Sequence, residues 1–254
     1  MYGVIIGDLA GSIYEYDQLK SIKSIKTDTI IPDNAFYSDD TILTVAIVGA
    51  IKNNKDYNYY LRKYIKEYEN YKPAFEPHFK TTFSPNLINW SKSNLVGLSK
   101  GNGAMMRISG VGYLFDTEKE VKKNALLATI PSHNTEEAIE CATMVALIIF
   151  YLRKGKTLEE VFKKLNLEIK YEPFRKFNTT CYETLNNCLY ILSISNSFNE
   201  AIKNTLLMGG DTDTNCAIVG SMAEALYGID SDLIEKAKEK IPPNFVKTLK
   251  FDKS

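Results

Sequence analysis

Two short acidic segments stand far apart in this chain: Ser38-Asp39-Asp40-Thr41 and Gly209-Gly210-Asp211-Thr212-Asp213-Thr214. Each precedes an apolar stretch with helical spacing, so each has a plain structural use. An acid or hydroxyl at a helix N-terminus caps free amides and meets the helix dipole, worth about 0.5–2 kcal/mol. One aspartate suffices for that, and a second adjacent carboxylate adds repulsion unless a cation is present. The glycines before Asp211 suit a tight or left-handed backbone. Carboxylates at i and i+2 in such a turn can converge on one ion. Four aspartates with serine and threonine hydroxyls are hard oxygen donors, suited to Mg²⁺, Mn²⁺ or Ca²⁺. The chain has two histidines and no C-x-x-C pair, so a zinc site is not expected. The EF-hand pattern fails as well, because Asn215 and Met222 stand where that loop wants its third acid and its glutamate.

Three further segments carry polar residues among glycines. In Gly7-Asp8-Leu9-Ala10-Gly11-Ser12-Ile13-Tyr14-Glu15, the two acids are seven residues apart, which on one helix would point both the same way. Gly101-Asn102-Gly103-Ala104-Met105-Met106-Arg107 offers backbone amides to an anion such as a diphosphate, or forms a plain turn. His133, in Pro131-Ser132-His133-Asn134, sits before a strong helical pattern and could equally be a cap neighbour.

The elements that would position these residues are helices. Period-3.6 patterns predict Thr41–Ile51, Tyr57–Tyr68, Glu136–Arg153, Cys181–Leu192, Asn199–Met208, Thr214–Tyr227 and Leu233–Lys240. Glu136–Arg153 has Asn134 or Thr135 as cap, acids in its first turn and Arg153 before Gly155. Thr157 caps a shorter helix with Glu160 at the capping-box position. Tyr60, Tyr64 and Tyr68 form an i, i+4, i+8 stripe that reads as packing. Alternating β patterns are rare and no 34- or 40-residue period recurs, which argues against a solenoid. Lys72–Pro85, with three of the eight prolines, reads as a long loop. The expected fold is therefore all-α, with ten or more helices in one domain covering residues 1–254.

Bulk properties narrow the function classes. Lys+Arg and Asp+Glu are equal at 31 each, which leaves no footprint for a nucleic-acid or anionic-membrane binder. Cys141, Cys181, Cys188 and Cys216 read as small apolar core residues in a reducing compartment. No charged segment precedes a long apolar stretch, so a secretory leader is not expected, and the apolar runs are too short to span a bilayer. A cytoplasmic protein without membrane association, acting as a monomer, is the expectation.

Taken together, the segments resemble the ADP-ribosylglycohydrolase family. The order is Gly-Asp-x-x-Gly-Ser-x-x-Glu from Gly7, then Ser-Asp-Asp-Thr from Ser38, Gly-Asn-Gly-x-x-Met-Arg from Gly101, Ser-His-Asn from Ser132 and Gly-Gly-Asp-Thr-Asp-Thr from Gly209. The last leads into Gly220-Ser221-Met222-Ala223-Glu224-Ala225-Leu226-Tyr227-Gly228, and the likeness covers about residues 1–240, with the spacing of the shorter microbial members. One segment departs: Ala74-Phe75-Glu76-Pro77-His78-Phe79 stands where such members often carry a glycine-rich loop. The resemblance implies an all-helical enzyme with two Mg²⁺ ions (Mn²⁺ as the substitute) that frees ADP-ribose from an acceptor. One ion would take Ser38, Asp39, Asp40 and Asp213; the other would take Asp211, Asp213 and Thr214. Asp8 and Glu15 would lie at the reacting end, Gly101, Asn102, Gly103 and Ala104 would line the diphosphate region, and His133 would contact ribose or phosphate. Glu15, Asp39 and Asp40 are the candidate bases. The expected partner is an ADP-ribosylated protein, arginine being the favoured acceptor, or a small ADP-ribose conjugate; nucleic-acid-linked ADP-ribose stays in view.

Rival readings exist. An isoprenoid synthase is also all-α and dimagnesium, but its D-D-x-x-D run would need an acid at Leu43. A non-catalytic ADP-ribose binder would be marked by loss of ligand residues, and none is lost here. A two-metal phosphodiesterase would release phosphate rather than free ADP-ribose. A metal site of this kind links ion binding to folding: Mg²⁺ at 100 times its Kd should stabilise metal-free protein by about 2.7 kcal/mol. A melting temperature that ignores Mg²⁺ would count heavily against the site.

Overall fold

The computed structural model describes residues 1–73, 82–173 and 175–250. Among them fifteen helices follow one another: α1 (Gly3–Gly11), α2 (Glu15–Lys20), α3 (Asp39–Lys52), α4 (Tyr57–Tyr68), α5 (Pro85–Lys92), α6 (Gly103–Met106), α7 (Ser109–Leu114), α8 (Glu118–Thr129), α9 (Glu136–Arg153), α10 (Leu158–Leu165), α11 (Cys181–Ser193), α12 (Phe198–Met208), α13 (Thr212–Tyr227), α14 (Ser231–Glu239) and α15 (Pro243–Leu249). The described residues contain no strand, only two isolated bridges, Leu98 with His133 and Gly101 with Thr180. The all-α expectation holds, and α4 and α9 keep the predicted bounds.

Local chemistry explains most helix starts. Thr135 Oγ1 accepts the Ala138 amide at the head of α9, while Glu136, Glu137 and Arg153 match its dipole. Thr157 and Glu160 form the expected capping box, and Thr117 and Glu120 form another on α8. Pro85 opens α5 behind a Ser84 cap, so the loop predicted to reach Pro85 ends one residue earlier. The tyrosine stripe of α4 stacks ring on ring, with centroids 6.1 Å apart for both Tyr60–Tyr64 and Tyr64–Tyr68, and it leans on Phe245 of α15.

The centre of the molecule is built from helices buried all round. Every residue of α1, every residue of α13 from Thr212 to Ala223, and Asp40–Ala50 of α3 are buried. Such helices read as broad apolar runs rather than as one stripe. α1 lies antiparallel against α13 with almost no side chain between them. A Cβ on Gly3 would stand 2.1 Å from the Gly220 carbonyl oxygen, one on Gly7 2.0 Å from that of Cys216, and one on Gly11 2.2 Å from that of Thr212. Both series step by four residues, which is one face of each helix. Glu224 of α13 closes the far end by accepting the Tyr2 and Gly3 amides at 3.0 and 2.7 Å.

One expectation is corrected. Asp8 and Glu15 do not share the face of one helix. α1 ends at Gly11, residues 12–14 turn, and α2 starts at Glu15.

The backbone contact is testable. Gly7→Ala should cost at least about 1–3 kcal/mol in urea or thermal unfolding, since neither backbone can yield. Gly101→Ala, whose Cβ would meet only Ser99 Oγ at 3.4 Å and Thr179 O at 3.7 Å, should change the melting temperature little.

Candidate functional site

Both acidic segments prove to be helix starts, and in neither does an aspartate make the N-cap bond, although Asp213 Oδ1 accepts the Thr214 amide in the first turn of α13 at 2.9 Å. α3 is capped by Ser38, whose Oγ accepts the Asp40 amide at 3.2 Å. Asp211 holds the N-cap position of α13 without a capping bond. Its Oδ2 instead accepts Asn102 Nδ2 at 2.7 Å. The turn into α13 does need its glycines: Gly209 and Gly210 have φ of +72° and +89°. Gln18 of α2 supports this turn, its Oε1 accepting the Gly210 amide at 3.2 Å and the Lys23 amide at 2.9 Å.

The acids converge. Asp8 Oδ2 accepts the Ser38 amide at 2.8 Å, the Thr41 amide at 3.2 Å and Thr41 Oγ1 at 2.5 Å, so α1 clasps the head of α3. Asp40 Oδ2 accepts Ser38 Oγ at 3.2 Å and Thr214 Oγ1 at 3.3 Å, joining α3 to α13. Asp39 and Thr82 are joined twice, through the Asp39 amide at 2.7 Å and its Oδ1 at 3.4 Å. Carboxylate oxygens of Asp8, Asp40 and Asp213 lie within 4.8 Å of one another, as do those of Glu15, Asp211 and Asp213. Asp213 belongs to both groups. Asp8 Oδ1 and Asp40 Oδ1 are buried with no hydrogen-bond partner among the described residues.

This arrangement sits on the wall of a cleft of about 620 Å³. Glu15, Ser38, Asp39, Asp40, Asp213 and Thr214 line it, and so do Gly101, Asn102, Gly103 and His133. Asp8, Ala104 and Asp211 lie behind the wall, at 0%, 0% and 4% exposure. Sequence reasoning assigned no role to Arg107, Ser132, Trp90 and Leu98, which also line the cleft. A signal for Arg107 existed: the chain has only four arginines against many lysines, and one of them ends the Gly-Asn-Gly motif. Two amides of that motif are engaged within the protein, Gly101 donating to Ser99 Oγ at 3.2 Å and Asn102 to the Thr179 carbonyl at 2.8 Å. They are not free for an anion. The Ala74–Phe79 departure lies outside the described residues, though its neighbours Pro73 and Thr82 line the cleft.

The electrostatics follow from crowding and burial. Burial and then the charges of Asp211, Asp39 and Asp8 push Glu15 up to about 8. Burial, then Asp8, pushes Asp39 up to about 7. Burial raises Asp8 and Asp211 to about 6 despite their hydrogen bonds. Asp40 and Asp213 are raised well above the carboxylate range by burial and by neighbouring acids. Six carboxyls around one space cannot all ionise unless positive charge joins them. The donors are all oxygen and two are buried without partners, so the residues fit hard divalent cations.

Comparison with known proteins agrees with this geometry. The profile of the family described as ADP-ribosylglycohydrolase matches residues 1–252. The chain belongs to the ADP-ribosylglycohydrolase family. Within it, this member is 21% identical to ADP-ribosylhydrolase ARH3 of Homo sapiens, over 90% of this chain and 84% of that protein. It is 24% identical to the putative ADP-ribosyl glycohydrolase L543 of Acanthamoeba polyphaga mimivirus, over 89% and 84%. It is 25% identical to the ADP-ribosyl-[dinitrogen reductase] glycohydrolase of Rhodospirillum rubrum, over 51% and 47%. A solved ADP-ribosylglycohydrolase-related protein complex shares the fold, with TM-score 0.68 and 19% identity over 98% of this chain and 89% of its own. The family is one of hydrolases. No helix among this member's described residues is long and apolar enough to cross a membrane.

The raised carboxyls set a sign for pH. Each keeps its proton to higher pH in the folded chain than in the unfolded one. From about pH 4 to about pH 8 the folded state therefore binds more protons, and stability falls as pH rises. Chelator-treated protein should melt progressively lower across that window. Asp40→Asn should reduce the fall and stabilise chelated protein near pH 8 by on the order of 1 kcal/mol or more. A melting temperature that rises with pH in chelator would contradict the crowding.

Proposed function

We propose that this chain hydrolyses the bond between the anomeric carbon of an ADP-ribosyl group and its acceptor, with two Mg²⁺ ions bound at the acidic wall. The main support is the shared Asp213, which stands in both carboxylate groups inside a cleft of a glycohydrolase-family member. Asp40, Asp211 and Asp213 would hold the ions with Ser38, Asp39 and Thr214, while Asp8 and Glu15 stand close beside them. When bound, such ions supply Lewis acidity and fix vicinal hydroxyls of a ribose.

The chain's own residues do the rest. Asp8 orders the Ser38–Thr41 turn by three hydrogen bonds, and Asn102 orients Asp211 by one. Glu15 lines the cleft; burial and the neighbouring acids raise its proton affinity, and cations at the wall would lower it again, so that beside bound ions the carboxylate is the form able to take a proton. Asp39 and Asp40 are tied down by Thr82, Ser38 and Thr214, which suits holding a position better than moving a proton. Glu15 is therefore the favoured base, able to deprotonate water for attack on an oxocarbenium-like centre. Arginine is the favoured acceptor, because a cleft wall lined by Glu15 and Asp39 complements a guanidinium. Four buried free cysteines suit a reducing cytoplasm.

A panel of conjugates tests this: ADP-ribose linked to arginine, serine, carboxylate, phosphate and nucleic acid, each with Mg²⁺ or chelator, with free ADP-ribose as the readout. Arginine-linked substrate should be cleaved with Mg²⁺ and spared with chelator. Glu15→Gln should lose about 10²–10⁴-fold in rate while still binding ADP-ribose. Full activity in Asp211→Asn would remove its assigned role, and ADP-ribose binding without release from any conjugate would show a binding protein instead.

A further inference from the structure

His133 lines the cleft, yet only 5% of it is exposed. Its Nδ1 stands 2.7 Å from Ser132 Oγ. The same oxygen accepts a hydrogen bond from Arg107 Nη2 at 2.6 Å. Arg107 is 1% exposed, and the rest of its fork is little used: Nη2 reaches the Ala128 carbonyl at 3.5 Å, while Nε and Nη1 have no partner among the described residues.

Counting protons settles the direction of this chain. A guanidinium only donates, so Ser132 Oγ is an acceptor toward Arg107. Its one proton remains to be given, and among the described residues His133 Nδ1 is the acceptor it meets. That leaves Nδ1 unprotonated and puts the ring proton on Nε2. In the opposite tautomer Nδ1 would donate to Ser132, and a buried hydroxyl proton would have no acceptor, costing about 1–3 kcal/mol. The imidazolium is disfavoured too, since burial and then the Arg107 charge hold the ring well below its ordinary range. Nε2 lies by the turn that opens α6, where a Cβ on Gly103 would be 3.3 Å from it.

We propose that Arg107 and Ser132 are positioning residues that hold His133 as a neutral imidazole whose Nε2–H is a fixed donor to an oxygen atom of the bound ligand. The relay stands on geometry alone. That its ligand is an ADP-ribose conjugate rests on the function proposed above.

The first test needs neither ligand nor metal. The chain has two histidines, His78 and His133, so His78→Asn leaves a single ring for ¹⁵N-resolved spectroscopy. His133 should show an unprotonated Nδ1 and a protonated Nε2 throughout pH 6–8. A protonated Nδ1, or an imidazolium at neutral pH, would overturn the relay. Ser132→Ala should give a mixture of tautomers, and an unchanged spectrum would remove Ser132 from the relay. If that variant does not fold, the wild-type spectrum still decides. The second test is calorimetry with free ADP-ribose. Ser132→Ala should weaken binding about tenfold, and the Ser132→Ala/His133→Ala pair should bind like His133→Ala alone. Additive losses would show that Ser132 does not act through His133. Absence of ADP-ribose binding by wild type, with the expected spectrum, would refute the ligand and leave the relay intact.

Discussion

The backbone contact between α1 and α13 governs this molecule. Gly3, Gly7 and Gly11 meet Gly220, Cys216 and Thr212 without intervening side chains. Asp8 follows Gly7 directly, and Asp213 follows Thr212 directly, so the contact that packs the centre also brings their carboxylates together. Thr212 adds a bond of its own, its Oγ1 donating to the Gly11 carbonyl at 2.9 Å. Wider spacing between these helices would separate the two carboxylates. Besides its apolar packing, α3 is held by charge: Asp8 accepts the Ser38 and Thr41 amides and the Thr41 hydroxyl at its head, where the helix dipole is positive.

Such a centre is electrostatically unfavourable by itself. Buried like charges raise one another's proton affinity, and each raised group withdraws stability from the folded state at neutral pH. What offsets this is a continuous apolar cluster contributed by α1, α3, α9 and α13 among others. Apart from Asp8, which sits within α1, the chain keeps its least favourable groups at the helix starts and its most favourable packing along the helix bodies. Local instability at a functional site, held in place by a well-packed surround, is a common trade in enzymes.

Much of this was legible beforehand because it is local. Helix periods, the Thr135 and Thr157 caps and the buried cysteines follow from residues within a few positions of one another. The two aspartate clusters were conspicuous because they exceed what a cap requires; in the structure Ser38 caps α3, and Asp211 at the head of α13 makes no capping bond. Features set by distant partners were not legible. The break after Gly11 undid the shared face assumed for Asp8 and Glu15. The engaged amides of Gly101 and Asn102 depend on Ser99 and on Thr179, the latter almost eighty residues away. Thr82, which fixes Asp39, carries no pattern at all in the sequence.

The cleft is electrically divided, and the division constrains what can fill it. Acids line one part of its wall, while Arg107, fully buried and still charged with its pKa lowered to about 10, lines another. Burial lowers Arg107 first, and Asp39 acts to raise it again, so the two parts are coupled through the cleft. A uniformly anionic ligand would meet Arg107 but be repelled by Glu15 and Asp39, and a uniformly cationic one would meet the reverse. A molecule with an anionic stretch, a hydroxyl-rich sugar and a leaving group at the far side satisfies both walls at once. Cations at the acidic wall would soften the division without removing it, because Glu15 and Asp39 stand at the surface of the cleft while Asp8 and Asp211 lie behind it. Charge layout thus restricts orientation as well as identity: an anionic group is favoured beside Arg107 and disfavoured beside the acidic wall.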